Sequence, residues 1–455
     1  MNLPRLSADR VFGGVLISFC SLLAACTAVR PYRTALDPVA YDTYGHYLKT
    51  NQTETVSIIE RATNYTMGFV EFDDQGWFYN SNRTGGRWQI DVVMDEVRSE
   101  IRTHPLLIVV FIHGWKHNAK YDDENVRAFH KVLQQLGKLE KQRSIENQKA
   151  VIRHVFGVYV GWRGLSAKWE PFKEMSFFSR KSAAATVGHG AVVELLSDLE
   201  AVRTLDNKTN GVGIANKERD ATIMVEVGHS FGGDVLYSAT APILKERLVE
   251  NFNAEGTETE PRTFGDMVIL INPAFEAARF ATLQRLAVNK HFKDQTNCTL
   301  AVFTSKGDSA TGFWFPLGRR ISTFFMKYQN RSEQRKANLS AVGHYDPYIN
   351  FSLQTLPPLK RQGTNDLMQE VADPKDTLGN VRSLKKAKAA KAASYEFGRG
   401  HGYCKLVANG NYKANDPVFN VAVDRAIIPN HDNITQPRFG QFLMEFCKVF
   451  MRDED

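Results

Sequence analysis

Cysteine is scarce, at 5 among 455 residues, which excludes a disulfide framework. No Cys-x-x-Cys pair and no Cys/His ligand spacing occurs, so no structural zinc site is expected. Cys20 and Cys26 fall in an N-terminal segment, and Cys298, Cys404 and Cys447 leave room for one disulfide at most, with its pairing open. Charge of one sign is also lacking. The 57 Lys and Arg against 50 Asp and Glu give only +7 over the chain, a mild excess that allows weak attraction to an anionic membrane surface but is no nucleic-acid footprint. With 16 Pro and 32 Gly, collagen and low-complexity classes are excluded, and 43% hydrophobic residues can build a sizeable core.

The apolar stretch Val11–Leu23 falls short of the roughly 20 residues that span a bilayer. Arg5 and Arg10 precede it and Ala24-Ala25-Cys26 follow, which is the anatomy of a signal peptide. Leu23-Ala24-Ala25-Cys26 resembles the bacterial lipobox, in which cleavage precedes an acylated Cys. The resemblance implies a signal peptide over 1–25, lipidation of Cys26 and a tether in the cell envelope. Thr27 stands where an Asp would retain such a protein at the inner membrane, so the outer membrane is expected.

Residues 26–64 read as a spacer or edge region, and 65–455 as one domain. Tyr65–Phe72 and Trp77–Tyr79 around Asp73-Asp74-Gln75-Gly76 read as a β-hairpin. The unbroken apolar run Leu106–Ile112 suits a parallel strand buried on both faces. Further strands read at Val155–Val160, Ala221–Val227, Met267–Ile271 and Thr299–Thr304. Helical spacing reads at 90–101, 122–148, 181–203, 231–250 and 275–288. Alternation of this kind predicts an α/β fold with a mainly parallel central sheet flanked by helices. Residues 309–415 break the rhythm and read as an insertion or lid before the last strand, Phe419–Val423. Their Lys/Ala run, 383–393, reads as a solvated helix or disorder. A closing amphipathic helix carries Phe439, Phe442, Phe446 and Phe450 on one face.

Gly228-His229-Ser230-Phe231-Gly232 fits G-x-S-x-G, between a β-branched strand and a helical pattern. That is the setting of a nucleophile elbow, whose tight turn needs small residues on both sides of the Ser. A hydroxyl becomes nucleophilic only when a base takes its proton and a carboxylate orients that base. Asp308, in Ser305-Lys306-Gly307-Asp308 just after a strand, is the candidate acid. Three His follow it: His344, His401 and His431. His431 is the candidate base, because it alone stands between the last strand and the last helix. The backbone N–H groups of Phe231 and Trp115 are the candidate oxyanion donors. Trp115 follows His113-Gly114 at the end of an early central strand, where His113 reads as a loop-shaping residue.

This set resembles the α/β-hydrolase superfamily of serine esterases and lipases, over roughly 65–308 and 417–451. The matching residues are His113-Gly114, the elbow around Ser230, Asp308 and His431, in the order Ser, Asp, His. The resemblance implies an α/β-hydrolase fold and cleavage of a small-molecule or lipid-like carboxylic ester through an acyl-Ser230, with no metal or organic cofactor. Two alternatives stay open: a thioesterase or other acyl hydrolase, and a non-catalytic binding or assembly lipoprotein on the same scaffold.

Overall fold

The computed structural model describes residues 30–40, 56–81, 86–147, 151–164, 172–210, 219–250, 261–289, 292, 297–330, 332–356, 381, 383–388, 392–398, 404–413 and 416–451. Cys26 and His401 lie outside them. The strands, in chain order, are β1 (Val39–Ala40), β2 (Ile59–Arg61), β3 (Tyr65–Phe72), β4 (Leu106–Ile112), β5 (His154–Trp162), β6 (Ile223–His229), β7 (Met267–Ile271), β8 (Leu300–Ser305), β9 (Phe351–Thr355), β10 (Ser394–Phe397), β11 (Cys404–Ala408) and β12 (Val418–Val423). The main helices are α1 (Gln89–Glu100), α2 (Glu124–Asn147), α3 (Phe172–His189), α4 (Val192–Asn210), α5 (Phe231–Val249), α6 (Ala277–Asn289), α7 (Phe315–Ser322), α8 (Glu333–Leu339) and α9 (Pro437–Phe450).

Among the described residues twelve strands form one sheet, ordered β1-β2-β3-β5-β4-β6-β7-β8-β12-β9-β11-β10. Every pairing from β3 across to β9 is parallel. The protein is therefore an α/β structure with a mostly parallel sheet between two layers of helices. The apolar runs follow from that burial. Leu106, Ile108, Val110 and Ile112 of β4 join the core under α1 and α3–α6. Leu107 and Val109, one residue out of phase, join the opposite core under α2, since a strand's side chains alternate faces. α9 covers the far half of that second face. There the Phe303 ring meets Phe439, Phe442 and Phe446 edge-on, at centroid distances of 5.2–5.7 Å.

Chain direction across the sheet reverses at β4. β5 lies on one side of β4 and β6 on the other. The carboxyl ends of β4 and β6 thus open a crevice at a topological switch point, the usual place for a ligand in such sheets.

Several details depart from the sequence reading. The expected hairpin after β3 is reduced to a turn with isolated antiparallel bridges, Phe72 to Phe78 and Asn80 to Trp88, because β3 spends its hydrogen bonds on β2 and β5. The single helix expected over 181–203 is two helices, α3 and α4, broken at Gly190. Residues 309–415 include three strands of the same sheet: β9 beside β12, then β11 and β10 antiparallel beyond it. Within the Lys/Ala run, residues 383–388 are helical and bury Leu384. No disulfide joins Cys298, Cys404 and Cys447. Among the described residues no helix is long and apolar enough to cross a membrane.

Candidate active site

The turn from β6 into α5 is sharp. Ser230 sits at φ 57° and ψ −120°, a strained region for a side-chain-bearing residue. Backbone hydrogen bonds hold it there: its N–H donates to the Ile271 carbonyl at 3.0 Å, and its own carbonyl accepts the N–H groups of Gly233 at 3.0 Å and Ala274 at 3.1 Å. Small neighbours are obligatory, since a Cβ on Gly228 would stand 2.6 Å from the Gly232 carbonyl oxygen.

Three side chains from distant segments meet at this turn. Ser230 Oγ lies 2.7 Å from His431 Nε2, and His431 Nδ1 lies 2.9 Å from Asp308 Oδ2. Asp308 follows β8. His431 belongs to the connection between β12 and α9, and β12 pairs with β8, so one strand pair sets both positions. His344 and Ser230 make no such contact. Instead His344 Nε2 lies 2.9 Å from Thr311 Oγ1, and the Thr311 hydroxyl donates to Asp308 Oδ2. The Thr311 N–H completes the set by donating to Asp308 Oδ1 at 3.1 Å.

Electrostatics follow from these bonds. Burial alone would raise the Asp308 pKa, but the bonds from His431 and Thr311 and the attraction of His431 outweigh it and hold the carboxyl below 3.8. Burial would lower His431, yet its hydrogen bond to Asp308 and that carboxylate's charge raise it above 6.5. His344 is lowered by burial.

Sequence reasoning missed the residues that hold His431 in place. Its carbonyl accepts the His229 Nε2–H at 2.9 Å and the Asn272 side-chain amide at 2.9 Å. His229 therefore carries its proton on Nε2, and burial together with the neighbouring His431 pushes its pKa down to about 3. Asn272 has φ 45°, a conformation Asn tolerates better than most residues. Its Oδ1 accepts the Ser305 N–H at 2.9 Å, so the same side chain ties β8 to the His431 loop. Asn at the end of a strand, before Pro273, was the one available signal.

The loop after β4 closes the site's other wall. A Cβ on Gly114 would fall 2.8 Å from Ser230 Cβ, so the chain that carries Trp115 passes directly over the nucleophile turn. His113 shapes that loop. Its Nδ1–H donates to the Gly114 carbonyl at 2.8 Å, and its Nε2 accepts the Trp162 N–H at 3.1 Å. Its ring stacks on Trp162 at an interplanar angle of 8°. Burial lowers its pKa to about 4, so it stays neutral. Phe231 is the first residue of α5, where helix N–H groups point toward the Ser side.

His229, His431 and Asp432 are the only described group of three that could jointly reach an ion, with ligand atoms within 4.8 Å of one another. Both ring nitrogens of His431 are already engaged with Ser230 and Asp308, so the trio carries no metal assignment.

No family model matches the chain, and no curated protein matches it. Among solved structures it is similar to phospholipase PlaB from Legionella pneumophila in complex with thio-NAD. The identity is 14% and the TM-score 0.21, over 44% of this chain and 38% of that chain. The chain thus matches well under half of that structure's length. Resemblance at that level carries neither fold nor activity across.

Proposed function

We propose that the protein is a serine hydrolase of the α/β-hydrolase type that cleaves carboxylic esters through an acyl-Ser230 intermediate. One observation carries this reading: the unbroken chain Ser230 Oγ, His431 Nε2, His431 Nδ1, Asp308 Oδ2, at 2.7 and 2.9 Å, built on a strained Ser at a strand–helix turn.

In this mechanism Ser230 Oγ attacks the ester carbonyl carbon while its proton passes to His431 Nε2. The carbonyl π bond opens to an oxyanion, which the N–H groups of Phe231 and Trp115 stabilise from the crevice between β4 and β6. The oxyanion then collapses, the alkoxide leaves, and it takes the proton from His431. Water attacks the acyl-Ser230 by the same route, with His431 accepting its proton, and Ser230 and a carboxylic acid are released. Asp308 holds the Nδ1–H tautomer and stabilises the imidazolium. Substrate is a small-molecule or lipid-like ester. The lipobox-like N-terminus supports a chain acylated at Cys26 and tethered at the outer membrane, which would bring it to apolar esters.

The test is hydrolysis of chromogenic acyl esters of increasing chain length by wild type, Ser230→Ala, His431→Ala and His344→Ala, beside labelling by a fluorophosphonate probe. Turnover lost in the first two variants and kept in His344→Ala is expected. Absence of both turnover and Ser230 labelling would replace this reading with the non-catalytic binding lipoprotein. Turnover of thioesters alone would move the substrate class and keep the mechanism.

A further inference from the structure

Directly after Asp308 the chain forms a one-turn π-helix, Ala310–Trp314, that continues into α7. Through the π-turn, α7 and the turn at Thr323–Phe325 that follows it, buried and exposed side chains separate into two sets. The inner stripe is Phe315, Arg319 and Thr323. Phe315 is 1% and Thr323 7% exposed. Arg319 is pinned by Glu276 at 2.9 Å and by Asn338 Oδ1 at 2.8 Å. The outer stripe is Phe313, Leu317, Ile321 and Phe325, at 60, 41, 72 and 91% exposure, and Trp314 and Phe324 flank it at 60 and 78%. The apolar face is thus held outward by a fixed inner face. It is a contiguous patch of a kind that monomeric soluble surfaces rarely present.

We propose that this face is a docking surface for an anionic phospholipid bilayer. Charge selects that occupant. Between Asp308 and Glu333 the chain has no Asp or Glu, and while Arg319 is turned inward to Glu276, Arg320 and Lys327 remain as outward cations. Arg320 and Lys327 are exposed at the border of the apolar stripe. Aromatic rings bordered by cations are the composition of an interfacial segment, with rings at headgroup depth and cations against lipid phosphates. A second copy fits poorly, because in a two-fold contact the stripe meets itself and its cations would face like charges. The proposal does not depend on the esterase reading.

Full-length protein carrying Phe325→Cys is labelled with bimane and mixed with phosphatidylcholine vesicles, with or without phosphatidylglycerol, whose acyl chains are brominated. Leu205→Cys, an exposed site at 63% on α4, is the comparison, and labelled wild type supplies the background. Bromolipid quenching several-fold greater at 325 than at 205 is expected on the anionic vesicles. Arg320→Glu with Lys327→Glu lowers it, and added salt lowers it further. Equal quenching at the two sites overturns the proposal, since the N-terminal tether would then act without this face. A blue shift at 325 that grows with protein concentration, without bromolipid quenching, also overturns it and assigns the patch to self-association.

Discussion

Asp308→Asn tests the proposed mechanism through one proton. The two carboxylate oxygens have different partners: Oδ1 accepts the Thr311 N–H at 3.1 Å, and Oδ2 accepts His431 Nδ1–H at 2.9 Å and the Thr311 hydroxyl. An amide in the same place must choose an orientation. Its oxygen belongs at the Oδ1 position, because an NH2 there would oppose the fixed backbone donor of Thr311. The NH2 then occupies the Oδ2 position and donates to His431 Nδ1. His431 is forced into the Nε2–H tautomer and donates to Ser230 Oγ instead of accepting its proton. Geometry survives and the base is lost.

The expected loss in kcat is on the order of 10³–10⁴-fold, as for a triad with a wrong His tautomer, or about 4–5.5 kcal/mol of barrier. Ester hydrolysis at saturating substrate measures it, and an unchanged thermal midpoint would show that folding is intact. The pH profile adds a sign. In wild type the base must be neutral, and Asp308 raises the His431 pKa above 6.5. The acid limb of kcat/KM is therefore displaced upward from that of an ordinary imidazole, and activity falls as pH drops through it. Residual activity in the variant loses that support, so its limb moves down. An Asp308→Asn enzyme within about tenfold of wild type would refute the orientation argument and the role of Asp308 with it.

Two further predictions follow from groups beside the site. Thr311→Val keeps the side-chain volume but deletes a donor to Asp308; a roughly tenfold loss is expected, with the acid limb of the ester-hydrolysis pH profile shifted upward because the carboxylate charge then acts more fully on His431. His344→Ala, which touches only Thr311 in this chain of bonds, should stay within about tenfold of wild type, and a dead variant would transfer the base role to His344. Glu226 on β6 has both carboxylate oxygens buried without a hydrogen-bond partner. Burial, with Asp266 and Glu200 nearby, raises its pKa well above 4.5. A carboxyl kept protonated at pH 7 costs up to about 3 kcal/mol relative to an unfolded chain that has released the proton. The folded carboxyl keeps its proton while the unfolded one releases it, so the stability contribution is full below about pH 4.5 and falls as pH rises from there towards the raised folded pKa; Glu226→Gln should therefore melt higher than wild type at pH 8, and the gap should close by pH 5. A gap independent of pH would mean that Glu226 does not hold a proton.

What was readable depended on how local the determinants are. β4, β6 and β7 announce themselves because burial on both faces leaves no room for polar alternation. The Ser230 turn is readable because its sterics demand Gly at fixed offsets. Position between a strand and a helix singled out His431, and that bracket holds: β12 precedes it and α9 follows. The rest needed long-range information. β9, β10 and β11 carry polar residues such as Ser352, Gln354 and Lys405 on an exposed sheet end, where no apolar run is required. The break between α3 and α4 lies beside Gly188, whose absent side chain lets α3 approach α5; a Cβ there would be 2.6 Å from the Val235 carbonyl oxygen. Such a contact has no sequence signature on α3. His229 and Asn272 act on a carbonyl 202 and 159 residues away, and no spacing rule reaches that far.

The segment after β8 has to meet two demands at once. Thr311 must face Asp308, while Phe315, four residues on, must reach the core and leave Phe313 and Trp314 in solvent. A regular α-helix starting at Asp308 would advance about 100° per residue from the acid. The π-turn at Ala310–Trp314 inserts an extra residue into one turn, so the register that serves the acid and the register that serves the core are set separately. Strengthening that turn to a plain α-helix, by deleting one residue between Thr311 and Phe315, would turn Phe315 and Arg319 by about 100° relative to the acid and carry Arg319 away from Glu276. Glu276 would then keep Lys181 Nζ at 2.8 Å as its partner, and Phe315 would be drawn out of the core, within a few residues of the Thr311 that holds Asp308. Acid geometry and outward apolar face are therefore coupled by one irregular turn, and a change that repairs its regularity disturbs both.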